Sequence, residues 1–216
     1  STNIFASNQP DHQRLPKARR SMAYLKRDAK HNARRAQRQA DLQAVLGNIE
    51  PNTSYHLLTS GDLDAGDVLD YLVHTHGPFA SLWLTTWSLE RQHLNTLEEH
   101  FAEGRLIDGF TAFTGDFFAS RMPANYTRLC QLAERVGGRV YRLNNHAKIM
   151  LLRNPRTGLA LYVEGSANYT KNPRIENCCI TADQGLYDAM QHHLSQLIDD
   201  RHEYRIAPHG FSRRGA

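Results

Sequence analysis

Four polar residues close together in the second half of the chain have the chemistry of phosphate handling: His146, Lys148, Ser166 and Asn168. In "NHAKIMLL" the histidine and the lysine are two positions apart. On a strand both would project from one face, with Met150 and Leu152 continuing that face into the interior. Ser166 and Asn168 repeat the spacing in "EGSAN", after Gly165, which lets backbone come close to a ligand. An imidazole can attack phosphorus and form a covalent intermediate, while ammonium, amide and hydroxyl groups stabilise charge on the phosphoryl oxygens. This chemistry requires neither a metal nor a cofactor. The imidazole does need its second nitrogen protonated and held, a task suited to Glu176, with Asp183 a weaker candidate. Other histidines fit a metal poorly: His74 and His76 end a helix pattern, and His192 and His193 diverge on another.

The elements that must position these groups follow from the apolar pattern. "YHLLTS", "ASLWLTTWSL" and "LIDGFTAFTG" read as strands, alternating with helices near Ala65 to His76, through "ERQHLNTLEEHFAEG" and through "ANYTRLCQLAERVGG". Then "RVYRLNNHAKIMLLR", "GLALYVEGS" and "IENCCITAD" read as three strands, with "NPRTG" as hairpin chemistry, before a last helix from Gly185 to Asp200. The expected fold class is α/β: a mixed central β-sheet flanked by helices, preceded by a basic helical N-terminal arm. The expected division is residues 1–50 as the arm and 51–216 as the domain that carries the phosphate chemistry.

In sequence the arm is the most charged part of the chain. Asp11 to Gln43 holds ten Lys or Arg against three Asp, although the whole chain is only +4. Apolar positions from Leu15 to Ala40 recur at three- and four-residue steps, with Pro16 suited to a first turn and Gly47 to the end. Arg19, Arg20, Lys26, Arg27, Lys30, Arg34, Arg35 and Arg38 are the candidates for contact with nucleic acid. The bland alternative is a solvated helix that aids solubility. No apolar run is long enough to span a bilayer and no secretory signal is evident, so the expected setting is cytoplasmic, with no membrane partner. Cys130, Cys178 and Cys179 read as reduced, buried thiols.

"HAKIMLLR", "GSANYTKN" and "IEN", in that order, resemble the phospholipase D superfamily, in its compact nuclease-like subgroup with one motif per chain. The resemblance covers roughly Tyr55 to Asp200. It implies a phosphohistidine at His146, phosphate binding by Lys148 and Asn168, and orientation of the histidine by Glu176. It further implies a phosphate-side hydroxyl at Ser166, a nearby contact at Lys171, and a pocket lined from "TTWSLE" by Trp87 and Ser88. Arg153 departs from the pattern, standing where the family has an acidic residue read here as turn-stabilising. The family supplies its leaving-group acid from a second copy of the motif. This chain has one copy, so the resemblance implies a homodimer with two His146 in one composite site.

The expected function is therefore a metal-independent nuclease on DNA or RNA. The alternatives are a non-catalytic nucleic-acid-binding protein on the same fold, or a phospholipid hydrolase or transferase.

Overall fold

A computed structural model describes residues 27–170 and 174–199. In chain order its elements are α1 (Arg27–Leu46), β1 (Thr53–Thr59), α2 (Ala65–His76), β2 (Ser81–Thr86), α3 (Arg91–Ala102), β3 (Phe110–Thr114), α4 (Asp116–Arg121) and α5 (Pro123–Arg135). There follow β4 (Arg139–Arg142), β5 (Ile149–Asn154), β6 (Leu159–Gly165), β7 (Glu176–Ala182) and α6 (Gln184–Asp199). The α/β class is as expected. A short helix not expected from the sequence, α4, follows β3.

All seven strands join one mixed sheet in the order β1-β7-β6-β5-β2-β3-β4. β2, β3 and β4 run parallel, while β5, β6, β7 and β1 alternate in direction. Side chains divide between the faces with the strand period of two. Leu82, Leu84, Met150, Leu152, Leu161, Val163 and Ile180 enter the larger core, which also takes in residues of α1, α2, α3 and α5. On the other face Phe113, Leu151, Ala160 and Tyr162 form a smaller core with Tyr187 and Leu194 of α6.

The stretch expected as a single strand, "RVYRLNNHAKIMLLR", is two strands far apart in the sheet. β4 lies at one edge and β5 in the middle, with β3 and β2 between them. The link between them has to cross the ends of those two strands. His146 and Lys148 lie on that link, immediately before β5, and not on the strand itself. Asn145 fastens the crossing: its Nδ2 donates to Thr86 O and Phe113 O, each at 3.3 Å, and its Oδ1 accepts from Ala147 N at 3.0 Å.

α1 ends at Gly47, whose φ of 57° is one that L side chains rarely adopt, and Gly47 N–H donates back to Gln43 O at 3.0 Å. Leu42, Leu46 and the following Ile49 are buried in the larger core. That end of the helix is thus packed on the same interior as the sheet. The side chains of residues 27–32, and all of residues 1–26, lie outside the description.

Candidate active site

Because β5 and β7 begin where β1, β2, β3 and β6 end, one edge of the sheet gathers residues distant in sequence. β5 and β6 are antiparallel, with Ile149 opposite Glu164, and Gly165 N–H donates to Lys148 O at 3.2 Å. That bond places Ser166 and Asn168 beside the histidine segment. β6 and β7 are also antiparallel, and Ser166 N–H donates to Asn177 O at 3.1 Å, which brings Glu176 to the same edge. On the β2 side Thr85 Oγ1 accepts from Ile149 N at 2.8 Å and fixes where β5 starts.

His146 is exposed, whereas Lys148 is buried to 9% exposure. Lys148 Nζ lies 3.0 Å from His146 Nδ1 and 3.3 Å from Nε2, and donates to His146 O at 2.6 Å. An ammonium donates only to a ring nitrogen that carries a lone pair, which is also the form of an imidazole that attacks phosphorus. Burial pushes the Lys148 ammonium below its ordinary pKa, while the Glu176 charge works in the opposite direction. Glu176, itself buried, accepts a hydrogen bond from Ser166 Oγ, and that same oxygen accepts from Asn177 N at 3.0 Å. Among the described residues the hydrogen bonds at the imidazole come from Lys148, while Glu176 accepts from Ser166 and its charge acts on Lys148.

Asn168 is half-buried. Its Oδ1 is enclosed and has no hydrogen-bond partner among the described residues, while its backbone carbonyl accepts from Ala65 N at 3.3 Å, at the start of α2. A buried amide oxygen left unpaired is costly unless something else uses the group. Gly165 has a packing reason to be glycine: a Cβ there would lie 2.5 Å from Asn177 O. The close approach it permits is to β7, with which β6 is still paired at that point.

Trp87 follows β2 and reaches the site, its ring centroid 5.5 Å from that of His146. Ser88 is buried in the turn beyond, where its backbone closes on Thr86 Oγ1, with Ser88 N donating at 3.2 Å and Ser88 O accepting at 2.8 Å. Lys171 lies outside the described residues. Sequence reasoning passed over two residues that shape this edge, Asn145 and Phe117. The first had a signal in "NNH", since paired asparagines favour a turn over a continuing strand. The second, on the unexpected α4, had none.

Of the basic candidates, Arg34 is exposed. Arg35 and Arg38 are turned onto the body. Arg35 donates from Nε and Nη2 to Asp70, both at 2.7 Å, and from Nη1 to Glu99 at 2.7 Å, while Arg38 pairs with Asp67 at 2.6 Å. Arg19, Arg20 and Lys26 lie outside the described residues, as do the side chains of Arg27 and Lys30. The three cysteines are free and half-buried, with burial pushing Cys178 up to about 12. No helix among the described residues is long and apolar enough to cross a membrane.

Arg153 is exposed on β5. The turn-holding task expected at its position falls to the next residue, the buried Asn154. Its Oδ1 accepts from Arg156 N at 3.0 Å and its Nδ2 donates to His76 O at 2.8 Å.

No family model matches the sequence, and no curated protein matches it. Solved structures are similar to parts of it at low identity. A polyphosphate kinase from Porphyromonas gingivalis is 16% identical, with a TM-score of 0.49 over 74% of this chain, which spans 27% of the kinase. NucT from Helicobacter pylori is 12% identical, with a TM-score of 0.46 over 68% of this chain and 97% of its own. TrmBL2, an archaeal chromatin protein, is 8% identical, with a TM-score of 0.49 over 80% of this chain and 62% of its own. The functional reading rests on the residues of this chain.

Proposed function

We propose that this chain is a metal-independent phosphodiesterase acting on nucleic acid through a covalent phosphohistidine, in a site completed by a second copy of itself. The observation that carries the reading is the convergence of His146, Lys148, Ser166, Asn168 and Glu176 on one sheet edge from three different strand ends. In the first step a His146 nitrogen bonds to phosphorus and the bond to the leaving oxygen breaks. That oxygen takes its proton from the partner copy's imidazole. Water, deprotonated by the same imidazole, then displaces His146 from phosphorus. Lys148 and Asn168 meet the charge on the phosphoryl oxygens through both steps. Glu176 balances the charge of Lys148 and fixes Ser166.

The nucleic-acid assignment draws on the basic segment, less Arg35 and Arg38, which are engaged within the chain. Labelled DNA and RNA incubated with the full chain in excess EDTA provide the test. Cleavage should persist, because lysine and amide groups do the work of a cation. Activity abolished by chelation and restored by magnesium would overturn the mechanism.

A further inference from the structure

One aromatic pair beside the site is not required by the phosphate chemistry. Trp87 and Phe117 stack with centroids 4.0 Å apart and planes 17° from parallel, and the Trp87 ring is in turn 5.5 Å from His146. Phe79, Phe110, Phe113 and Phe118 are all buried to 1% exposure or less, whereas Phe117 is 36% exposed. Its neighbour in sequence, Phe118, does the packing for α4. Phe117 therefore presents part of its ring to solvent at the far end of a row of rings that leads through Trp87 to the imidazole. Arg121 holds its guanidinium carbon over the Phe117 ring, 5.8 Å from the centroid, so a planar cation adjoins the stack. Gly115, just before α4, is packed against the same wall: a Cβ there would lie 3.0 Å from Trp87 Cδ1 and 3.0 Å from Asn145 O.

A partly exposed ring with a guanidinium over it, close to a phosphate-directed nucleophile, suits a nucleobase whose own phosphate is near the reacting one, because rings and guanidinium planes are both surfaces on which bases stack. Bases in a duplex are covered on both faces by their neighbours, so only an unpaired base can stack on such a ring. We infer that the Trp87–Phe117 stack is a nucleobase platform and that the substrate is single-stranded nucleic acid. The inference rests on the phosphodiesterase reading and specifies its substrate. Stacking reads the face common to all bases, so DNA and RNA strands both qualify and the platform itself is tolerant of sequence.

The experiment uses the full chain with three probes: a single-stranded oligonucleotide, the same strand annealed to its complement, and the same strand made abasic. The single strand should be cleaved at least ten-fold faster than the duplex. Phe117→Leu, which keeps apolar bulk but loses the ring, should lower kcat/KM on the single strand about ten-fold. Phe117→Tyr should restore it, and the gap between wild type and Phe117→Leu should narrow on the abasic strand. Binding is measured separately in His146→Ala, where the single strand should quench tryptophan fluorescence more than the abasic strand does. Equal cleavage of duplex and single strand, or equal rates for Phe117→Leu and wild type, overturns the platform. So does dissociation of the Phe117→Leu dimer in size-exclusion chromatography, which assigns the ring to assembly. Single-strand binding with quenching but no cleavage of any probe by wild type instead overturns the phosphodiesterase reading and leaves the platform standing.

Discussion

The ammonium of Lys148 is held almost out of solvent against an exposed imidazole, and this contrast sets the behaviour of both residues. His146→Ala removes a side chain on the surface, so melting followed by circular dichroism should match wild type while cleavage is abolished. A fall in melting temperature would make the histidine structural. For Lys148 the sign of the pH effect follows from burial, the larger influence, which lowers its pKa from the ordinary 10.5 against the opposing Glu176 charge. Rising pH should therefore strip its charge earlier than from a free lysine. The alkaline limb of kcat/KM should fall below that ordinary value, and Lys148→Arg, permanently charged, should abolish the limb in whatever activity remains. An unmoved limb would place it elsewhere. At the β5–β6 hairpin, Asn154→Ala removes a buried side chain and leaves the half-buried carbonyl of His76 without this donor, which should cost about 1–3 kcal/mol in chemical denaturation.

At the scale of the helix, the sequence makes α1 a basic arm, and the packing divides its duties. Leu42 and Leu46 face the core, and Arg35 reaches a carboxylate, Asp70, that also accepts from His100 Nε2 at 2.8 Å and from Gln39 Nε2 at 2.8 Å. Burial alone would raise the pKa of Asp70, but the hydrogen bonds from His100 and Arg35 outweigh it and hold the carboxyl well below its usual range. A carboxylate depressed in the folded state adds stability above its unfolded pKa and loses it as pH falls toward the folded value. Stability should decline from about pH 4 downward, and less steeply in Asp70→Asn. Arg35→Ala should cost about 2–3 kcal/mol, since it strips two charge-assisted bonds from a buried carboxylate, whereas the exposed Arg34→Ala should change stability by about 0.5 kcal/mol or less. Equal effects of the two substitutions would mean that the ion pair contributes nothing. The same division decides where the arm can be cut. Removing residues 1–26 should flatten the salt dependence of nucleic-acid binding and leave the fold intact, while removal through Gly47 takes Leu42 and Leu46 out of the core and should unfold it.

For the molecule as a whole, a composite site predicts behaviour that no single chain can show. Mixing His146→Ala with wild type in equal amounts under free exchange should leave activity near a quarter of that of an all-wild-type sample of the same total chain concentration, because heterodimers hold one imidazole where two are needed. Activity proportional to wild-type content, or full activity from a monomer, would refute the shared site. What the sequence determined by itself was local: strands wherever apolar residues alternate, helices wherever they recur at three and four, and a His-x-Lys and Ser-x-Asn pair whose residue types suit phosphate. It could not order the strands, because pairing joins residues far apart in the chain and periodicity carries no record of which strand lies beside which. Hence a stretch that reads as one strand is two, and His146 rides on the crossing between them, pinned by Asn145 to the ends of β2 and β3. Only the tertiary structure assigned Gly165 to strand packing, Asn154 to the hairpin, Arg35 and Arg38 to α2 and its surroundings, and Phe117 to the edge of the site. Each of those roles depends on a neighbour that local sequence does not specify.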